Sequence, residues 1–415
     1  MLYASTNSSP GIGKRIIAAA VVAASAITLA ACTGSGTTNA DGPTLKDMEP
    51  VTLTYSEAFG EGSLSQKATA NFMEAVTERT EGKVTFDVYL SGSLHPVTEG
   101  LAAVQSGLTD MTNYIPGYFG DSLPGGQWAN ALATLQWGGY PQDMLSGTAA
   151  SQEFTLSTPE LSAELEKWNA VPLGSYTGPS LFLLCTKPIE TLADAQGVQT
   201  RTAGWPFSDD IEALGMTNVF TPDLEIFEAL QRGVIDCAVT APSVAMGAGL
   251  WDVATYVHPL PLPNSAGSGY MVSKDVWEAF PEEVRTIFRE EATGLAGDYL
   301  RGYAEVNARW ATESEAHGVT WVDTSELLPT IEKAHQARIE NIAGLAPDTI
   351  KDPESVIERY KATVDEWDAY LNDDLGYVLN KEPNGKELKQ AYLDAAESFS
   401  WDDYRERLAA AAVGG

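Results

Sequence analysis

Apolar residues along this chain switch repeatedly between a spacing of two and a spacing of three to four. Val51, Leu53 and Tyr55 alternate with threonine and serine, which predicts a half-buried strand. Leu64, Ala68, Phe72, Ala75 and Val76 repeat at helical spacing up to Thr80, with Gly82 as the stop, and Val84, Phe86, Val88 and Leu90 then alternate again. Strand, helix and strand in that order form a parallel pair with a right-handed crossover. Thr98 to Ser106 predicts a further helix, ended by Gly107.

A second stretch of the same kind runs from Leu192 to Ser243. Val198 to Ala203 reads as a short strand with Arg201 at or near its end, and Phe207 to Leu214 as a helix closed by Gly215. Asn218 to Phe220 is the next strand. Thr221 as N-cap and Pro222 at the first helical position predict a helix over Asp223 to Gln231, with Leu224, Phe227 and Leu230 inward and Gly233 as its stop. Val234 to Thr240, carrying Asp236, is a strand that Pro242 ends.

The run Ala103-Val104-Gln105-Ser106-Gly107-Leu108-Thr109-Asp110-Met111 parallels Ala229-Leu230-Gln231-Arg232-Gly233-Val234-Ile235-Asp236-Cys237. One helix, glycine stop and Asp-bearing strand thus occurs twice, about one lobe apart, which predicts two similarly built α/β lobes. Ligands of open α/β sheets bind beyond the carboxyl ends of the strands. That rule puts Asn113 and Tyr114 on one side of a cleft and Thr240 to Ser243 on the other.

Between the two copies, glycines and tryptophans such as Gly117, Gly120, Trp128, Trp137 and Gly138 predict loops with short helices. Leu173 to Lys187 reads as one long strand, continuously apolar over Leu181 to Cys185. Beyond Pro281, Val284, Phe288, Leu295, Tyr299, Val306 and Trp310 keep helical spacing as far as His317. They predict a helix of roughly 50 Å at ~1.5 Å per residue, or two shorter ones broken near Gly294 or Gly297. A strand over Val319 to Val322 and helices over Glu326 to Ile342, Pro353 to Leu371 and the tail from Lys386 complete the pattern.

The first residues change the picture. Lys14 and Arg15 precede an uncharged apolar run, Ile16 to Leu29, in the order of a secretory signal. Leu29-Ala30-Ala31-Cys32 closes it like a lipobox, with Cys32 as the acylated new N-terminus; the alternative is an ordinary signal cleaved at its small residues. Residues 32–50, rich in glycine and poor in large apolar side chains, read as a flexible tether.

Composition sets limits. A chain of 415 residues that is 44% hydrophobic can build two lobes. The formal charge of −32 argues against nucleic acid as a partner and repels anions at long range, so an anionic ligand needs a local cation such as Arg201. Cys185 and Cys237 stand in apolar strand-like runs and are read as two buried thiols, with a disulfide as the alternative. The four histidines, His95, His258, His317 and His335, lack His-Glu-x-x-His spacing, and no Gly-x-Ser-x-Gly or P-loop occurs. No cofactor, metal or catalytic residue is expected. A polysaccharide hydrolase built on two carboxylates and a purely structural surface lipoprotein are the competing function classes.

Ala195-Gln196-Gly197-Val198-Gln199-Thr200-Arg201, Glu212-Ala213-Leu214-Gly215 and Ala229 to Asp236 together resemble the extracytoplasmic solute-binding proteins of TRAP transporters, over about Val51 to Leu328. The resemblance implies a two-lobe fold like that of periplasmic binding proteins, braced by a long lobe-bridging helix, with extra C-terminal helices here. It implies residues 51–177 as lobe I, completed by about 265–300, and 178–264 as lobe II, completed by about 301–345. Residues 346–415 form an added helical extension.

It further implies that Arg201 holds the carboxylate of a small organic acid, for delivery to integral membrane TRAP subunits; Trp205, Tyr114, Thr240 and Ser243 are expected as further ligand contacts. The alternative for Arg201 is an ion pair within its own lobe, with an acid such as Asp209 or Glu212. The family often carries a second arginine around the position of Leu181, and its lack here argues against a dicarboxylate and for a monocarboxylate or a hydroxy or keto acid. Many members have Asn or Glu-Trp after the Asp236 strand, where this chain has Val239 to Ser243 and so no obvious metal site.

Overall fold

Among the described residues eleven strands form in chain order: β1 (Val51–Ser56), β2 (Val84–Tyr89), β3 (Met111–Tyr114), β4 (Ala170–Tyr176), β5 (Ser180–Cys185), β6 (Gln199–Thr202), β7 (Thr217–Phe220), β8 (Cys237–Thr240), β9 (Tyr256–Asn264), β10 (Ser268–Ser273) and β11 (Thr320–Trp321). The computed structural model describes residues 44–136, 139–264, 266–377 and 385–413. The secretory signal, Cys32, Trp137 and Gly138 lie outside them.

One sheet has the order β2-β1-β3-β10-β4 and the other β11-β9-β5-β8-β6-β7. In each, a parallel trio (β2-β1-β3 and β7-β6-β8) continues into an antiparallel strand that belongs to a connection between the sheets. The repeated sequence is the joint of each trio. Gly107 and Gly233 take φ of +72° and +67° after their helices, where a side chain would be strained. The aspartate that follows then clasps the first strand of its trio. Asp110 accepts from Thr54 N–H at 2.8 Å and Asp236 from Gln199 N–H at 3.2 Å, while each returns its own N–H to the same residue's carbonyl. The repeat therefore sets strand register rather than contacting a ligand.

The single strand expected over Leu173 to Lys187 is two. Thr177-Gly178-Pro179 interrupts the ladder, because proline has no N–H to donate, and the chain passes there from the first sheet to the second. It returns between β9 and β10. The helix Glu282–Glu313 is unbroken and packs on the helix Leu64–Arg79 of one lobe and Pro242–Gly247 of the other. Its Gly294 and Gly297 are contact points rather than breaks. A Cβ at Gly294 would stand 2.9 Å from Arg405 Nη2, and one at Gly297 3.1 Å from Arg405 Cγ.

Arg405 belongs to the C-terminal helices Pro353–Asp373, Gly385–Ser398 and Trp401–Val413. These insert Trp367, Leu371, Tyr392, Phe399 and Tyr404 into the main core, so the extension is part of the folded body. The segment expected to be a tether also docks before residue 51. Leu45 is buried in the core, its N–H reaches Glu283, and Lys83 bonds the Met48 carbonyl at 2.6 Å.

Cys185 and Cys237 form a disulfide, which corrects the expectation of two thiols. Antiparallel pairing of β5 with β8 places them directly opposite one another, a register that neither isolated position reveals. Replacing both with alanine should lower the unfolding free energy by about 2–4 kcal/mol, because the bridge restricts the unfolded chain. Denaturant titration reads this as an earlier midpoint, and an unmoved midpoint would show that the bond contributes nothing.

Candidate functional site

Between the two sheets lies a cavity of about 410 Å³, lined on one side by the loop after β1 and on the other by the carboxyl ends of β6 and β8. Arg201 stands at its floor and is only 2% exposed. Position three of the four-residue strand β6 aims it along the ends of both neighbours. Nε donates to the Thr221 carbonyl just past β7 (2.6 Å) and Nη1 to the Val239 carbonyl of β8 (2.8 Å). Nη2 reaches the Tyr118 hydroxyl at 3.3 Å and pairs with Asp223 Oδ1 at 2.8 Å.

The guanidinium is thus held by backbone carbonyls through Nε and Nη1 and by Tyr118 and Asp223 through Nη2, and it lines the cavity beside Asp223. The ion pair within its own lobe, the alternative expected for Arg201, is thus present, but its acid is Asp223 and not Asp209 or Glu212. Asp209 instead accepts the Trp205 indole N–H at 2.7 Å.

The lobes meet at this point. Tyr118, from the segment after β3, also accepts the Asp223 N–H at 3.1 Å. Beside it, a Cβ on Gly117 would stand 2.6 Å from the Ala203 carbonyl, and one on Gly204 2.9 Å from the Gly117 carbonyl. Only glycine permits these two backbones to approach so closely. Burial pushes the Tyr118 hydroxyl well above its ordinary pKa, with Asp223 adding to the effect and Arg201 opposing it, so it stays protonated.

Of the expected contacts, Arg201, Thr240 and Ser243 line the cavity together. The Thr240 hydroxyl is buried and has no hydrogen-bond partner among the described residues, a cost that a polar ligand or water would remove. Tyr114 does not line it. That ring packs inside lobe I against Phe119, because β3 is buried along its whole length. Asn113 is buried as well and accepts the Ala58 N–H at 2.7 Å. Trp205 is turned away to a separate surface groove with Phe220 and Gly120.

Leu224, expected to face inward, is 53% exposed and lines the cavity instead. The cause is that Asp223–Glu225 forms a tight 3-10 turn before the helix Ile226–Gln231, which moves the buried face to Ile226 and Leu230.

Sequence reasoning missed Asp223, Tyr118 and a wall of tyrosines. Tyr176, at the end of β4, stacks on Tyr299 of the long helix with centroids 4.3 Å apart, and Tyr303 follows one turn on at 5.1 Å. The helical spacing of Tyr299 and Tyr303 was the available signal. Their separation from Arg201 by about a hundred residues hid its meaning.

Residues 55–342 match the model of the bacterial extracellular solute-binding protein family 7, DctP. The chain belongs to this family. A solute-binding protein of Chromohalobacter salexigens is 25% identical over 284 residues, covering 66% of this chain and 79% of that one. The C4-dicarboxylate-binding periplasmic protein DctP of Rhodobacter capsulatus is 24% identical over 260 residues, 62% of this chain and 75% of that one. Among solved structures, a marine metagenome TRAP solute binding protein specific for pyroglutamate superposes with a TM-score of 0.64. It is 18% identical and covers 76% of this chain and 99% of its own.

Membership makes this a solute-binding receptor of the kind that serves TRAP membrane transporters, acting outside the cytoplasm. The match ends at residue 342, so the three C-terminal helices lie beyond it. Among the described residues no helix is long and apolar enough to cross a membrane.

Proposed function

We propose that this DctP-family protein captures a small organic acid in the interlobe cavity, with Arg201 as the carboxylate anchor and Thr240 and Ser243 as hydroxyl partners, and delivers it to a TRAP-type secondary transporter. The observation that carries the reading is a buried guanidinium lining a cavity between two sheets, beside a Thr240 hydroxyl with no hydrogen-bond partner among the described residues. Arginine suits this place because it stays charged when desolvated and meets a carboxylate through parallel hydrogen bonds. The names of the relatives agree in kind, since a C4-dicarboxylate and pyroglutamate both bear carboxylates. Mass spectrometry of the small molecule released by denaturing natively purified protein tests the reading. A carboxylate supports it, and a ligand without one refutes it.

The same proposal places the protein on the outer face of the cell membrane, held by lipid on Cys32, with the residues between Cys32 and Thr44 as its leash. Cys32→Ser should leave the precursor uncleaved or release the protein from the membrane fraction. Normal processing with unchanged membrane association would refute the anchor.

A further inference from the structure

Among the described residues, the cavity is lined by one cation and two acids, Arg201 against Asp223 and Glu61, and Arg201 is already paired with Asp223. A simple carboxylate entering it would add an unbalanced negative charge beside Asp223, in a chain whose net charge is −32. Desolvated like charges at such range are costly, whereas a ligand that brings its own cation leaves the site neutral.

The cavity also has a surface suited to a cation. Tyr176, Tyr299 and Tyr303 form a continuous aromatic wall, and ring faces attract ammonium groups, strongly so out of water. Asp223, with its side chain 20% exposed, spends Oδ1 on Arg201 and stands at the same cavity.

Resting on the reading of the cavity as an acid-binding site, we propose that the preferred ligand is a zwitterion, an amino acid or N-methylated amino acid. Its carboxylate lies on Arg201, and its ammonium lies between Asp223 and the wall formed by Tyr176, Tyr299 and Tyr303. Asp223 is then the selectivity residue. It rejects dicarboxylates by charge and rewards a cation placed next to the carboxylate, while the tyrosines accept ammonium groups with or without N–H donors.

Pairs of probes that differ only in the positive charge test this. Glycine betaine against 3,3-dimethylbutyrate, proline against cyclopentanecarboxylate, and valine against 3-methylbutyrate would be titrated calorimetrically into the full-length mature protein and into Asp223→Asn and Tyr303→Leu. The zwitterion should bind at least about tenfold more tightly than its isostere in one or more pairs. Asp223→Asn should shrink that ratio below about threefold, and Tyr303→Leu, which changes a partly exposed residue and spares the Arg201 pair, should reduce it as well.

Isosteres that bind as tightly as the zwitterions, or a preference that survives in both variants, would overturn the inference while leaving acid binding intact. If none of the six probes binds, the molecule released from natively purified protein decides. A carboxylate without a cationic nitrogen overturns this inference alone, and a molecule with no carboxylate overturns the underlying reading too.

Discussion

Replacing Arg201 with lysine or alanine should weaken binding of the native acid by roughly thirty- to several-thousandfold, the equivalent of about 2–5 kcal/mol for losing one partner of a buried charged pair. The magnitude follows from where the residue sits. The guanidinium is buried, and two of its nitrogens are committed to the Thr221 and Val239 carbonyls. It therefore meets the ligand preorganised, with no rotamer freedom left to lose. A lysine ammonium carries its three N–H donors on one nitrogen and cannot copy the fork that reaches both carbonyls and a carboxylate.

The variants also strip donors from two backbone carbonyls at the ends of β7 and β8, at a cost of about 1–3 kcal/mol for each group left unsatisfied. Both should thus melt earlier without ligand, and affinity has to be measured well below the melting temperature. Calorimetric titration of the released acid decides the matter. Wild-type affinity in Arg201→Lys would remove Arg201 from the ligand site and leave it a structural pair for Asp223.

The second large effect concerns stability against pH. Asp143 is the second residue of the helix Gln142–Ser157 and is fully buried where the two inter-sheet connections pass. Its carboxylate accepts from the Ser180 hydroxyl, at the start of β5, and from the Met144 N–H at 2.7 Å. Burial pushes its pKa up to about 7, with nearby Asp368 adding to the rise, while the bonds from Ser180, Met144 and Asn264 oppose it.

The folded protein therefore holds a proton that the unfolded chain, with an ordinary carboxylate pKa near 3.8, gives up. Stability from this group is fully present below about pH 4 and falls as pH rises, until it is lost above about pH 7. Asparagine keeps an acceptor for Ser180 and cannot ionise. Asp143→Asn should consequently be more stable than the wild type at pH 8, by up to about 4 kcal/mol at 1.36 kcal/mol per unit, and nearly equal to it at pH 4. Denaturant titrations of both proteins across pH 4–8 test this, and parallel curves would refute it. Buried Glu57, also shifted upward by desolvation, contributes a slope of the same sign to both proteins.

Much of this molecule is written in short-range pattern. Alternation marked β1, β2 and β6, helical spacing marked Leu64–Arg79 and the long helix, and the paired glycine and aspartate runs announced two lobes of one design. These features are local, because strand and helix periods and the left-handed turn that favours glycine depend on neighbours a few residues apart. The family and the singular place of Arg201 were readable for the same reason, as a motif carried within about 40 residues.

What required tertiary structure is whatever joins distant segments. The Cys185–Cys237 bond depends on the register of β5 against β8. The break at Gly178-Pro179 looks like continuous strand until two sheets exist for the chain to pass between. The glycines at 294 and 297 look like helix breaks until Arg405, over a hundred residues later, fills the space that they leave. The cavity wall brings Tyr176, Tyr299 and Tyr303 to Asp223 and Arg201, while Tyr114 and Trp205, nearer in sequence to the expected cleft, face elsewhere. By itself the sequence determined most of the strand and helix segments and that Arg201 stands at or near the end of a strand. Only packing decided which side chains share the cavity with it, because a direction in space is set by the sheet and helix that a residue is pressed against, not by its place along the chain.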